Sequence, residues 1–235
     1  VMVGNLAENA AREIGANPVQ CRAMAYFHDV GKTNRPSYFI ENQLGENLHD
    51  ELSPTLSALV ISAHVKEGLE MAKAHHLPKI IQDGIAQHHG TTLIRFFYNR
   101  AVDMRLLDPD DREFEQMFRY DGPKPQTREA AVLHLADSVE AASRVAGRGS
   151  SEEVEIMVTR IIENLRADGQ LDECDLTLRD LQVVRQSFVR SLGAIRHERI
   201  SYNETDHAST PATSDLGLER LPKNPLPGAR PTSLE

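Results

Sequence analysis

The sequence predicts an all-α protein, a helical bundle followed by a disordered C-terminal tail. Apolar residues recur at helical spacing from the start, as in Val3, Leu6, Ala7, Ala10 and Ile14, and no alternating strand pattern appears anywhere. Helix start and stop signals punctuate the chain throughout. From Asn203 onward the composition changes: five of the twelve prolines fall there with no aromatic residue, so a folded unit over 1–202 and a disordered tail over 203–235 are expected.

The elements follow in order. Gly15 and Asn17-Pro18 end one helix and open a second, which places His28-Asp29 at its C-terminal end. Gly31 is expected as a C-terminal breaker that turns Lys32 back towards the pair. Ser53-Pro54, an N-cap followed by proline at the first helical position, starts a long helix to about His76 with His64 in its middle. Leu77-Pro78 restarts the chain as a helix that ends at His88-His89-Gly90. Adjacent residues point about 100° apart on an ideal helix, so both imidazoles can reach one site only where the helix stops. Thr91 to Arg105 reads as another helix, Asp108-Pro109-Asp110-Asp111 as a turn, and 118–126 as a loop broken by two prolines and a glycine. Asp137 is expected in the middle of a helix over Thr127 to Val145 among small residues. Ser150 caps a helix to about Ala167, and Thr177-x-x-Asp180 opens the last one, to about His197.

Composition bounds the function. A chain of 235 residues with 40% hydrophobic content can form one sizeable core. Its net charge of -9 argues against a broad surface for duplex nucleic acid, although a local metal centre can still attract phosphate, so a small substrate is expected. Cys21 and Cys174 lie far apart and form no C-x-x-C motif, which fits a reducing compartment. No apolar run approaches the roughly 20 residues needed to cross a bilayer, so no membrane contact by this segment itself is expected. The chain opens on Val1-Met2-Val3-Gly4, already inside an amphipathic pattern, and is expected to be a piece of something longer.

The chemistry rests on histidine and aspartate. His28, Asp29, His64, His88, His89 and Asp137 offer imidazole nitrogen and carboxylate oxygen without thiolate, a set suited to Mn²⁺, Fe²⁺ or Zn²⁺. These are too many for one catalytic ion that must keep a position open for water. Two divalent ions sharing Asp29 are the economical expectation, an arrangement used for phosphoester hydrolysis. The other histidines receive plainer readings: His75-His76 as cations at a helix C-terminus, His49-Asp50 as a loop hydrogen-bonding pair, and His134 as a packed residue or one that orients Asp137.

The segments Val1-Met2-Val3-Gly4-Asn5-Leu6-Ala7-Glu8, His28-Asp29-Val30-Gly31-Lys32, Glu41-Asn42-Gln43, His49-Asp50-x-Leu52-Ser53-Pro54, Gln87-His88-His89-Gly90-Thr91, Phe118-Arg119-Tyr120-Asp121-Gly122-Pro123-Lys124-Pro125-Gln126 and Ala136-Asp137-Ser138-Val139-Glu140-Ala141 resemble the cytoplasmic HD domain of the seven-transmembrane HD receptors. These are PgpH-type cyclic-di-AMP phosphodiesterases. The resemblance covers residues 1 to about 200. It implies an HD-domain helical bundle, two metal ions, manganese or iron, and hydrolysis of cyclic di-AMP to pApA. It also implies cytoplasmic placement on a membrane-anchored parent protein. His28, Asp29 and Asp137 would serve one ion and Asp29, His64, His88 and His89 the other. The family's metal set begins with a histidine two residues before the Val-Met-Val segment, and this chain starts at Val1, so the first site is expected to be one ligand short.

Within that expectation Asp29 and Lys32 are the catalytic candidates, with water activated by the two ions as the nucleophile and Lys32 as a phosphate contact. Arg119 and Tyr120 are candidate contacts to a base; the alternative is a loop that packs over the helix ends. Two rival functions are an HD phosphohydrolase for cyclic di-GMP or a mononucleotide and a non-catalytic nucleotide sensor. The Gly-Tyr-Pro signature of the cyclic-di-GMP class is absent. The sequence sets no oligomeric state.

Overall fold

The structure is a computed structural model that describes residues 1–43, 45, 47–104, 112–146 and 150–204. Among these it is helical throughout, with one isolated antiparallel bridge between Leu93 and Arg119. The helices are α1 (Met2–Glu13), α2 (Pro18–Phe27), α3 (Pro54–Ala74), α4 (Lys79–Gln87), α5 (Arg95–Asp103), α6 (Arg112–Gln116), α7 (Arg128–Ala146), α8 (Ser151–Ala167) and α9 (Leu178–Glu204). Short 3₁₀ turns, beginning with Val30–Asn34, connect α2 to α3. No described helix is long and apolar enough to cross a membrane. The expected turn at Asp108-Pro109 and the tail from residue 205 lie outside the described residues.

The caps act where the sequence places them. The Asn17 side chain accepts from the backbone of Val19 and Gln20, and Ser53 from that of Leu56. Ser150 and Glu153 form a reciprocal capping box, and Thr177 and Asp180 exchange equivalent bonds.

A large apolar cluster lies between α1, α2, α4, α7, α8 and α9, with Leu6, Met24, Ile85, Leu133, Leu135 and Phe188 fully buried. Each such side chain contributes about 1.5–3 kcal/mol by leaving water. A smaller cluster, Ala58, Phe97, Ala101 and Phe118, joins the N-terminal half of α3 to α5 and the segment before residue 120.

Three expectations need correction. Residues 91–94 are not helical, because their backbone bonds go elsewhere: Ile94 N–H donates to Phe118 at 2.7 Å and Tyr120 N–H to Thr92 at 3.1 Å. A short helix, α6, was not anticipated, and α9 continues past His197 to Glu204 through a run with no glycine or proline. Gly31 is not a left-handed breaker. It lies in a 3₁₀ turn pressed against α3, where a Cβ would stand 1.9 Å from the His64 carbonyl oxygen and 2.6 Å from the Gly68 nitrogen. Glycine is required there by backbone contact.

Candidate metal centre

Four chain segments deliver the six candidate ligands. His28 is the C-cap of α2 and Asp29 follows it; His64 sits midway along α3; His88 is the C-cap of α4 with His89 next; Asp137 projects from α7. The close approach at Gly31 brings the Asp29 turn onto the helix that carries His64. Gly90, at φ 53°, lets the chain leave α4 directly after the two histidines.

Three imidazoles are oriented in the same way. Nδ1–H of His28 donates to the Ala25 carbonyl at 2.9 Å, that of His64 to Ile61 at 2.6 Å and that of His88 to Ile85 at 2.8 Å. A carbonyl can only accept, so each Nδ1 carries a proton, and each ring, once neutral, presents its Nε2 lone pair to its neighbours. Backbone carbonyls hold metal-ligating histidines in this manner.

The lone pairs converge. Nε2 of His64 and of His88 lie 3.5 and 3.6 Å from Asp29 Oδ1 and 3.1 Å from one another. Asp29 Oδ1 is buried and has no hydrogen-bond partner. His28 Nε2 lies 3.3 Å from Asp29 Oδ2 and 3.3 Å from Asp137 Oδ1, and His89 Nδ1 lies 3.7 Å from Asp137 Oδ2. Two groups result, Asp29 with His64, His88 and His89, and His28 with Asp29 and Asp137; within each, the ligand atoms lie within 4.8 Å of one another. A buried acceptor facing acceptor nitrogens is satisfied by a cation, so the residues fit a divalent metal, and Asp29 belongs to both groups.

The electrostatics agree. Burial works against charge on His28, but Asp137 and Asp29 override it and raise its pKa to about 10. Burial and the His88 imidazole lower His64 to about 4, and burial with its imidazole neighbours takes His89 well below its usual range. Burial also pushes the Asp29 and Asp137 carboxyls up, yet the His28 imidazole outweighs it and holds both below the ordinary carboxylate range.

Lys32 does turn back, its Nζ 2.8 Å from Asp29 Oδ2 and 2.8 Å from Glu41 Oε1, above the Phe39 ring. Glu41, to which the sequence reading gave no role, thus reaches the rim of the centre. Tyr120 is buried and stacks on His89 with ring centroids 4.2 Å apart. Burial, Asp137 and Asp29 keep its phenol protonated. Arg119 has a different setting: a bidentate pair with Asp168 at 2.9 and 3.0 Å, a bond to Glu115 and a bond to the Thr91 carbonyl. These contacts fit the loop-packing alternative.

His49 is buried away from the cluster, bonded to the Tyr38 carbonyl and packed on Phe97, while Asp50 pairs with Arg100. His134 does not bond Asp137; fully buried, its Nδ1–H donates to the His88 carbonyl at 2.5 Å. His75 and His76 close α3, as expected.

The family model described as HD domain matches residues 1–142. The chain is 45% identical over 205 residues to "Cyclic-di-AMP phosphodiesterase PgpH" of Bacillus subtilis (strain 168), covering 87% of this chain and 28% of that protein. With the protein of the same name from Listeria monocytogenes it shares 43% over 203 residues, 86% of this chain and 28% of the relative. The chain therefore spans under a third of the length of these relatives. A crystal structure of the L. monocytogenes phosphodiesterase PgpH HD domain in complex with cyclic-di-AMP aligns with TM-score 0.78 and 43% identity, over 83% of this chain and 89% of that one. HD domains bind divalent metals, the chemistry for which the His/Asp groups are suited. With the family model matched over most of its folded part and a solved HD domain covered almost end to end, the chain belongs to the HD-domain family.

Proposed function

We propose that this chain is a metal-dependent phosphodiesterase domain that hydrolyses cyclic di-AMP to pApA, with two divalent ions, manganese or iron, held by His28, Asp29 and Asp137 on one side and by Asp29, His64, His88 and His89 on the other. The observation that carries the reading is the pair of ligand groups sharing Asp29, in a fold aligned with an HD domain in complex with cyclic-di-AMP. Nitrogen and oxygen donors without thiolate are compatible with manganese or iron, as with zinc.

Divalent ions in such a centre lower the pKa of water and offset charge on the phosphate. The chain's own residues do the rest. The Nδ1–carbonyl bonds keep the three imidazoles aimed inward, and Asp29 links the two groups. Lys32, held between Asp29 and Glu41, would offer a phosphate oxygen a point charge. Tyr120 lies over His89 at the edge of the site, where a base or ribose would border it. One P–O bond forms from water and the bond to the ribose 3′-oxygen breaks, that oxygen leaving with the proton that water gives up. By the family resemblance carried by its sequence motifs, the domain would face the cytoplasm on a membrane-anchored parent.

Chromatography of cyclic di-AMP after incubation with the protein and Mn²⁺ tests the reading. Appearance of pApA is expected. Intact cyclic di-AMP beside a cleaved mononucleotide or cyclic di-GMP would overturn the substrate. Metal uptake and nucleotide binding without cleavage of any of them would make the domain a sensor.

A further inference from the structure

The turn that brings His88 and His89 together is held by a side chain 79 residues further along the chain. Gln170, in the connection between α8 and α9, is fully buried. Its Oε1 accepts the Thr91 N–H at 2.9 Å and the Thr91 hydroxyl at 3.3 Å; its Nε2 donates to Thr91 Oγ1 at 3.0 Å and to Asp168 Oδ2 at 2.8 Å. Asp168 is gripped in turn by Arg119, whose Nη1 also donates to the Thr91 carbonyl at 2.8 Å. Every polar group of Thr91 is thereby engaged. Gly90 leaves room for the carboxamide, since a Cβ there would stand 2.5 Å from Gln170 Oε1.

This matters because consecutive helical residues diverge by about 100°. His88 and His89 share a ligand group only if the chain leaves α4 at a fixed angle directly after them. Gln170 and Asp168 both lie beyond residue 142, where the family match ends. We propose that Gln170 is a positioning residue for the metal centre: by fixing the Gly90-Thr91 turn it sets the directions of His88 and His89, so the α8–α9 connection takes part in holding the divalent ion. The inference rests on the metal-centre reading above.

Mn²⁺ titration calorimetry on the whole chain tests it, beside thermal melting of the metal-free protein. Gln170→Leu should weaken Mn²⁺ binding about tenfold or more, the usual effect of losing a group that orients a ligand. Gln170→Glu made together with Asp168→Asn, which keeps the acceptor for the Thr91 N–H and exchanges donor and acceptor between positions 170 and 168, should recover part of that loss. Thr91→Val loses only the hydroxyl bonds and should weaken binding by about threefold, a fraction of that effect. Gln170→Leu that binds Mn²⁺ like the wild type, whatever its melting temperature, overturns the proposal by reducing Gln170 to packing. If that variant does not fold, wild-type affinity in Thr91→Val does the same. A wild-type chain that takes up no Mn²⁺ removes the metal centre itself, and this inference with it.

Discussion

Nε2 of His64 and Nε2 of His88 face each other across 3.1 Å while both Nδ1 protons are held by backbone carbonyls. In the neutral rings two lone pairs are thus directed at one another, with the buried Asp29 Oδ1 completing the triangle. A metal ion shared by the three atoms relieves that arrangement, as would a proton on one ring.

Asp29 is the residue common to both ligand groups. Asp29→Ala should lower Mn²⁺ affinity and turnover by more than about 100-fold, beyond the range seen when an orienting group alone is lost. Calorimetry and nucleotide chromatography check this, and retained turnover would remove the bridging role.

Metal binding should strengthen with pH. His28 keeps its proton up to about pH 10 because Asp137 and Asp29 outweigh burial. An incoming ion must displace that proton, so raising the pH favours the bound state. Mn²⁺ affinity should climb about tenfold per unit across neutral pH, with about one proton released per chain. His64, lowered to about 4, adds no dependence there. Titrations in buffers of different ionisation enthalpy count the protons; a flat profile would contradict the assignment.

Gly31→Ala should be severe. The added methyl would fall 1.9 Å from the His64 carbonyl oxygen, so either the 3₁₀ turn or α3 must move. A loss of about 3 kcal/mol or more is expected, read by denaturant melts, together with weakened metal binding. Gly68→Ala, whose Cβ would meet its neighbours at 3.1 Å, should be milder.

Lys32 and Arg119 should separate by kinetics. Lys32→Met removes a charge beside Asp29 and should cut kcat/KM for cyclic di-AMP about tenfold or more, the worth of a charged hydrogen bond, with metal stoichiometry unchanged. Arg119→Lys cannot keep the bidentate pair with Asp168 and should cost about 1–3 kcal/mol of stability with little change in KM. A raised KM in Arg119→Lys would restore its expected contact to a base.

Five of the six ligands were legible because they sit at a local signal, His28-Asp29 before Gly31, His88-His89 before Gly90 and Asp137 among alanines, whereas His64 in mid-helix has none. Helix starts were legible for the same reason, through Asn17-Pro18, Ser53-Pro54 and Ser150. What escaped depends on contacts distant in sequence. Arg119 meets Asp168 across 49 residues and Gln170 meets Thr91 across 79, and no periodicity announces either. Gly31 shows the same limit: its presence could be read, but the helix pressed against it could not.

The division of the interior into a large and a small apolar cluster has a dynamic consequence. The N-terminal half of α3 and all of α5 rest on the smaller one, so their amides should exchange with solvent through partial openings that leave α1 and α7 protected. His64 lies on the helix that joins the two parts. A cation bound between it and Asp29 would tie these openings to the whole molecule, and protection in α3 and α5 would then report occupancy of a centre that neither cluster contains.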